Sequence, residues 1–218
     1  APAAPPPIAP RDGARDTAEL SFAQQRLWFI DQLAPGVSAY NMPVAVRLSG
    51  ALDIAALELS LGALARRHEI LRTSIVLRDE RPVQLIAPAG EAAPAITRFD
   101  LRELPAEARA AEAQRLATAE VQRAFDLARG PLWRATLLRE SESEQLLMLT
   151  MHHAISDAWS IGVLIRELTA LYAGFAAGRP AALAPLPIQY ADFAHWQREW
   201  LRGEALEAQL AYWRARLA

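Results

Sequence analysis

The sequence predicts an α+β fold, in which a mixed β-sheet packs with helices. Segments with helical periodicity and segments with strand alternation both occur, but they do not alternate regularly along the chain. With 218 residues, of which 52% are hydrophobic, the chain is long enough to bury a core as one large domain or two small ones.

Helices are predicted where a capping residue precedes apolar residues at helical spacing. Ser21 is a suitable N-cap for a helix through Leu33, and Asp53 for a helix that runs toward His68. Pro105 suits the first position of a helix because its missing N–H is not needed there. The further helices are expected over 105–124, 158–176, 188–201 and 204–217.

Strands are predicted where apolar residues alternate with others or where short apolar runs lie between turns. Val44, Val46 and Leu48 alternate in this way. Two later strands flank the polar turn ESESE, which favours a hairpin. The remaining short strands and these two are expected near 72–78, 82–87, 95–100, 132–139 and 144–151.

Composition excludes several function classes. The net charge is −2, so no overall field attracts nucleic acid or an anionic membrane. The chain has no cysteine, which excludes disulfides, thiolate metal sites and a cysteine nucleophile. All 23 basic residues are arginine, so lysine-based Schiff-base chemistry is excluded as well. No run of 18 apolar residues occurs, and no transmembrane helix is expected.

The N-terminal residues differ in composition from the rest. The chain begins with APAAPPPIAP, which favours an extended polyproline conformation, and continues with the polar run RDGARDTAE. Residues 1–19 are therefore predicted to be a Pro/Ala-rich interdomain linker, and residues 20–218 the folded part. A chain that opens on a linker is expected to have been cut from a longer one.

The strongest candidate for chemistry is a pair of adjacent histidines, His152 and His153. Successive side chains on a strand point to opposite faces, so one imidazole is expected to enter the core and the other to face outward. Asp157 follows at a position suited to the N-cap of the next helix. This arrangement offers an imidazole that titrates near neutral pH beside unpaired backbone N–H groups.

Spacing alone leaves other interpretations of this pair open. Both histidines could be satisfied core or surface residues. A zinc site is disfavoured because diverging side chains cannot share an ion and no HExxH helix is present. A Ser–His–Asp triad could use Ser156 or Ser160, but the chain has no GxSxG elbow.

A wider pattern points to a family. MHHAISDAWS, at 151–160, resembles the HHxxxDG motif of nonribosomal peptide synthetase condensation domains, which are related to chloramphenicol acetyltransferase. Further segments match in order and extend across nearly the whole chain after residue 19: SFAQQRLWFIDQL at 21–33, YNMPVAVRLSGALD at 40–53, RHEILRTS at 67–74 and YADFAHWQ at 190–197. The first of these resembles the subtype that takes an L-configured donor.

The resemblance implies an N-terminal lobe of a two-lobed, V-shaped domain, with a chloramphenicol-acetyltransferase-like fold and the C-terminal lobe absent. The implied reaction is attack by an acceptor aminoacyl amine on a donor thioester, both held on phosphopantetheine arms of carrier domains. The implied partners are donor and acceptor carrier domains, the C-terminal lobe and a neighbouring adenylation domain, in the cytoplasm. No cofactor or metal bound by the domain itself is implied.

Two further expectations follow from the resemblance. This half alone is expected to lack activity and to self-associate through the face that would meet the second lobe. The alternative function is a catalytically silent condensation-like module that recruits carrier domains or partner enzymes.

The resemblance also assigns roles to residues. It makes His153 the catalytic imidazole and His152 structural. It implies an ion pair between Asp157 and Arg67, or failing that Arg72, and we expect this pair to be buried.

Ala158 stands where the family has glycine. We expect Ala158 to have negative φ, so that its N–H can still face a developing oxyanion. Trp28, Trp159, Trp196, Tyr190 and Asp192 are expected to be packing residues rather than part of a substrate site.

Overall fold

The computed structural model describes residues 5–11, 16–90, 94–179 and 183–217. The strands are β1 (Thr17–Glu19), β2 (Asn41–Ser49), β3 (Thr73–Arg78), β4 (Arg81–Ile86), β5 (Ile96–Asp100), β6 (Trp133–Arg139) and β7 (Glu144–His152). The α-helices are α1 (Phe22–Leu33), α2 (Ile54–Arg67), α3 (Ala106–Gln122), α4 (Ala158–Ala176), α5 (Tyr190–Trp200) and α6 (Gly203–Leu217). A short 3₁₀ helix, Glu69–Arg72, follows α2.

The strands form two sheets. The larger has the order β2-β7-β6-β5, in which β5 is parallel to β6 and the other neighbours are antiparallel. The smaller has the order β1-β4-β3 and is antiparallel. The predicted α+β class is therefore confirmed.

Strand β7 has buried side chains on each face of the larger sheet. Leu147, Leu149 and Met151 belong to the main core cluster, which includes apolar residues of α2 and α4. Met148 belongs to a smaller cluster that includes Leu116 of α3. Helices thus cover β7 on both sides. The strand ends at His152, so His153 is the first residue of the loop that leads into α4.

Most element predictions agree with the structure, and three details need correction. Strand β1 and the 3₁₀ helix were not predicted, and Pro105 is the N-cap of α3 rather than its first helical residue. Because Thr17–Glu19 pairs with β4, the predicted linker 1–19 extends too far. Parts of that segment, residues 1–4 and 12–15, lie outside the described residues.

A helix that crosses a bilayer must be both long and apolar. None of the described helices is long and apolar enough to do so.

Candidate active site

The loop between β7 and α4, residues 153–157, carries the predicted site. Its start is fixed by the backbone, since the His153 N–H donates to the Tyr40 carbonyl at 2.8 Å. The Ile155 N–H turns back to the His152 carbonyl at 3.0 Å. These bonds hold the loop beside Tyr40, the residue that precedes β2, and close it into a tight turn.

His152 is buried inside the fold. Its side chain lies beside the rings of Tyr40 and Phe125, with centroids 6.3 and 6.2 Å away, and the residue is 4% exposed. Burial, and then the nearby charge of His153, lower its pKa to about 4. The neutral ring accepts a hydrogen bond at Nδ1 from the Ala154 N–H at 3.1 Å, which helps to shape the loop.

His153 has the opposite environment. It is exposed, and its Nδ1 lies 2.6 Å from the carbonyl oxygen of Ser156. A carbonyl only accepts hydrogen bonds, so Nδ1 is the donor, and in the neutral form of the ring the proton is on Nδ1 and Nε2 is free to accept one. The predicted divergence of the two histidines is confirmed, and the exposed imidazole is oriented by the backbone of its own loop.

Asp157 caps helix α4 through local hydrogen bonds. Its Oδ1 accepts from the Ser160 N–H at 2.7 Å, while the Asp157 N–H donates to Ser160 Oγ at 2.7 Å. This capping bond to the backbone is the main cause of the lowered pKa of Asp157. The residue is exposed, and its side chain supplies the acceptor that an N-cap gives to the first turn of the helix.

The predicted ion pair of Asp157 with Arg67 or Arg72 is wrong. Arg67 Nε instead donates to Glu167 Oε2 at 3.0 Å, and His68 Nε2 meets the same oxygen at 2.6 Å. Burial alone would raise the pKa of Glu167, but the hydrogen bonds from His68 and Arg67 outweigh it, and the pKa is lowered.

Geometry explains why the predicted partners do not meet. The end of α2 packs beside the middle of α4, and Glu167 lies ten residues beyond Asp157, about 15 Å along the helix axis. Arg72 is engaged elsewhere: one nitrogen of its guanidinium donates to the Ala87 carbonyl, and another lies 3.6 Å from Glu69.

Ala158 is accommodated without strain. It is the first residue of α4, and among the described residues other than glycine only Asp79 and Glu80 have positive φ. The expected negative φ is therefore confirmed. In the described part of the chain, no acceptor is found for the Ala158 N–H, as is usual for the first turn of a helix.

The hydroxyls of Ser156, in the loop, and Ser160, in the first turn of α4, are engaged elsewhere. Ser156 Oγ donates to the His152 carbonyl at 3.2 Å, and Ser160 Oγ belongs to the cap of α4. His153 contacts the carbonyl of Ser156 and not its hydroxyl. The structure does not assemble the Ser–His–Asp alternative.

Gln24, a residue of α1 whose side chain is hydrogen-bonded to the loop, was not identified from the sequence. Its side chain is 1% exposed and donates from Nε2 to the Ala154 carbonyl at 3.1 Å. Its Oε1 accepts from the Ser21 N–H at 3.0 Å. A signal existed in the sequence, because Gln24 lies three residues before Leu27 on the buried face of the helix.

The aromatic residues predicted to pack do not all do so. Trp28 packs against the main core, but Trp159, in the first turn of α4, is 83% exposed. Tyr190 lies near the loop, with its hydroxyl 2.9 Å from Ser21 Oγ. Burial raises the pKa of Tyr190; the Ser21 hydrogen bond opposes this shift, and the charge of Asp157 adds to it.

These features define an exposed imidazole, oriented by backbone contacts at a strand end, directly before a helix N-terminus. Such a site can accept a proton or hold a nucleophile in place. In residues 5–11, 16–90, 94–179 and 183–217, no group of three or more histidine or acidic side chains could hold a metal ion.

Comparison with known proteins identifies the family. The profile of the condensation domain matches residues 14–218, so the chain belongs to the condensation-domain family. It is 50% identical over 208 residues to one of the linear gramicidin synthase polypeptides of Brevibacillus parabrevis. It is 49% identical over 214 residues to phosphinothricin tripeptide synthetase PhsC of Streptomyces viridochromogenes.

Solved structures share the fold. The X-domain in its complex with OxyB, from teicoplanin biosynthesis, is 32% identical with a TM-score of 0.81 over 99% of this chain. The starter condensation domain of rhizomide synthetase RzmA has a TM-score of 0.82 over 94% of this chain, and its 23% identity shows the fold alone.

The chain is much shorter than these proteins. The matches cover 95% and 98% of this chain but 3% of the gramicidin synthase polypeptide and 20% of PhsC. They cover 46% of the X-domain chain and 48% of the RzmA chain. The chain thus spans about half the length of the solved domains that it resembles.

Proposed function

We propose that this lobe contributes the catalytic histidine to peptide-bond formation in nonribosomal peptide synthesis. The amine of an acceptor aminoacyl group attacks the carbonyl carbon of a donor peptidyl or aminoacyl thioester. A C–N bond forms, the C–S bond breaks, and the amine proton replaces the acyl group on the leaving thiolate. The single observation that carries the proposal is the exposed His153, whose Nδ1 lies 2.6 Å from the Ser156 carbonyl oxygen and whose Nε2 is left free to accept a proton.

In this proposal His153 works through Nε2. An α-amino group has a reference pKa of about 7.7–8.0, so a sizeable fraction is already neutral near pH 7. The unprotonated Nε2 accepts a hydrogen bond from the acceptor amine and so orients the lone pair of that amine toward the thioester carbon. As the C–N bond forms, Nε2 takes a proton from the amine. His152 has no part in the transfer, because its buried ring is committed to Ala154.

We further propose that the Ala158 N–H stabilises the oxyanion that develops on the thioester carbonyl. It lies at the N-terminus of α4, where the helix dipole favours negative charge. The donor belongs to the backbone, so the alanine in place of glycine does not remove it. The support for this role is the position of Ala158 as the first residue of α4.

The proposed substrates arrive on phosphopantetheine arms of donor and acceptor carrier domains, and the domain itself binds no cofactor. A C-terminal lobe forms the other wall of the site, and an adenylation domain loads the acceptor carrier. We propose that this chain alone does not condense substrates, because a single wall cannot hold both arms in line. The relatives that span far more than this lobe support the proposal.

A second candidate function is a silent condensation-like module that recruits partner enzymes. The observation that favours it is the X-domain of teicoplanin biosynthesis, a structural relative that forms a complex with OxyB. In this case the domain would bind a partner protein and leave loaded carriers unchanged.

The experiment uses the complete two-lobe domain with loaded donor and acceptor carriers. We expect His153→Ala to lower the condensation rate by roughly 10²-fold or more, the usual scale for a positioned acid–base group. His195→Ala is the matched control, because His195 is exposed on α5, and it should leave the rate unchanged.

Three outcomes would decide against parts of the proposal. Condensation at the parent rate in His153→Ala would remove that residue from the reaction. No condensation by the parent domain, combined with capture of a partner enzyme, would favour the silent module. Turnover by this lobe alone at the rate of the two lobes mixed would overturn the expectation of inactivity.

A further inference from the structure

Helix α5 presents a row of aromatic rings along one face. Tyr190, Phe193, Trp196 and Trp200 follow one another at three- and four-residue spacing. The ring centroids of successive members are 5.5, 5.8 and 5.2 Å apart, and the last two pairs are stacked. We call these four side chains the aromatic row.

The N-terminal segment 5–11, PPPIAPR, contacts this row at Trp196. The indole Nε1 of Trp196 donates to the carbonyl oxygen of Pro6 at 2.7 Å. Four of the seven residues in the segment are proline, and proline carbonyls in an extended chain have no internal donor. Aromatic grooves with such donors are a general means of recognising proline-rich peptides, because the peptide loses little entropy on binding.

Arg11 fixes the other end of the segment. Its backbone N–H donates to Asp192 Oδ1 at 3.1 Å, and its guanidinium reaches the same oxygen at 3.3 Å. A second guanidinium nitrogen contacts Glu69 Oε2 at 2.6 Å. The side chains of Arg11 and Asp192 are only 13% and 6% exposed, so this contact is built into the structure and is not a loose surface pair.

We propose that the aromatic row, with Asp192 and Glu69, is a binding site for a proline-rich segment that ends in arginine. Its occupant is residues 5–11 of this same chain. Docking of this segment holds the polypeptide at the N-terminus of the lobe in a fixed position on α5. Residues 5–11 are thus a bound strap and not a free linker.

Docking of residues 5–11 shortens the flexible chain that precedes the lobe. If the segment were free, about a dozen more residues would join the tether, adding roughly 20 Å of average span for a flexible chain. Docking therefore sets the point from which any preceding domain would be tethered. That the tethered domain is a donor carrier rests on the function proposed above, whereas the docking itself does not.

The test uses the absence of cysteine from the chain, which allows a single engineered thiol to be labelled. A nitroxide is attached to Ala9→Cys, at an exposed position in the segment. We expect an immobilised spectrum in the otherwise unchanged protein. Arg11→Gln and Trp196→Phe should each produce a mobile spectrum, the first by removing the ion pairs and the second by removing the indole N–H while keeping an aromatic ring.

Trp213→Ala is the matched control, because Trp213 is a half-exposed tryptophan on α6 outside the aromatic row. It should leave the label immobilised. Unchanged melting temperatures of Arg11→Gln and Trp196→Phe would show that the released segment, and not unfolding of α5, mobilises the label.

A second measurement tests the site as a peptide receptor. A synthetic peptide PPPIAPR is titrated calorimetrically into the Arg11→Gln protein, whose own segment is released. We expect saturable binding, and loss of binding when the peptide arginine is replaced by glutamine. A label that is mobile in the parent, or equally immobile in all variants, would overturn the proposal, as would absence of peptide binding. None of these readouts depends on condensation activity.

Discussion

The N-terminal end and the middle of α4 each hold a carboxylate, but in different ways. Asp157 at the N-terminal end is exposed, and its partners are the backbone and hydroxyl of Ser160, three residues away. Glu167 in the middle is largely buried, and its partners are Arg67 and His68, about a hundred residues away in sequence. One carboxylate organises a helix start, and the other joins two helices.

This difference separates two kinds of stabilisation. A capping carboxylate replaces hydrogen bonds that water could also supply, so its loss has a modest cost. A carboxylate that neutralises partly buried cations cannot be removed without stranding them. The loop before α4 should therefore tolerate change at Asp157 better than the junction of α2 and α4 tolerates change at Glu167.

The largest effect on stability is expected from Glu167→Ala. Loss of the carboxylate leaves Arg67 and His68 partly buried without their partner, which should lower the free energy of unfolding by about 3 kcal/mol. Denaturant unfolding followed by circular dichroism measures this change. Glu112→Ala, which removes an exposed, solvent-screened pair with Arg115 on α3, is the control and should change the free energy of unfolding far less than Glu167→Ala does.

The pH dependence of stability is a second test of the contact between Glu167 and the pair Arg67 and His68. The folded-state pKa of Glu167 is lowered, so its contribution to stability is present above the ordinary value of 4.5 and is lost as the pH falls through the folded-state pKa. The parent should therefore lose its advantage over Glu167→Ala at acidic pH. Equal stability of the two proteins at pH 7 would show that the contact between α2 and α4 does not stabilise the fold.

A smaller effect is expected from Gln24→Leu. Leucine keeps the volume of the side chain but leaves the Ala154 carbonyl and the Ser21 N–H without their partner, at a cost of about 2 kcal/mol. The same change should loosen the loop that carries His153 and lower kcat in the complete domain. Gln25→Leu, at the neighbouring exposed position, should change neither quantity appreciably.

The buried His152 should make the stability of the fold depend on pH. Its folded-state pKa of about 4 lies below the ordinary value of 6.5, so the unfolded chain binds more protons between these pH values. This residue should therefore make stability fall on acidification by about 1.4 kcal/mol per pH unit in that window. His152→Asn, whose Oδ1 can still accept from Ala154, should remove this slope, whereas His195→Asn should retain it.

The same contrast explains how far the sequence predicts the structure. The bounds of α4, Ala158–Ala176, agree with the prediction because a cap and a periodic apolar face are both local features. The divergence of His152 and His153 also follows from strand geometry alone. These predictions needed no knowledge of what packs nearby.

Long-range contacts were not predictable in this way. Arg67 was assigned to Asp157, but which carboxylate it meets depends on how α2 lies along α4. Strand β1 has three residues and exists because β4 pairs with it, about 65 residues later in the chain. The strap at residues 5–11 similarly depends on contacts with α5, more than 180 residues away.

The smallest effect is expected from Asp157→Ala, and it distinguishes a cap from a buried ion pair. Loss of the cap should lower the free energy of unfolding by about 1 kcal/mol, since water replaces the lost acceptor at an exposed helix end. A buried ion pair would instead cost about 3–5 kcal/mol.

Asp157→Asn is the matched variant. Asparagine also caps helices well, so it should restore most of the lost stability at neutral pH. The lowered folded-state pKa of Asp157 means that the contribution of its charge is present above the ordinary value of 3.8 and is lost as the pH falls through the folded-state pKa. The difference between aspartate and asparagine should therefore shrink at low pH. A loss well above 1 kcal/mol in Asp157→Ala that asparagine does not restore would indicate a charged partner and contradict the cap.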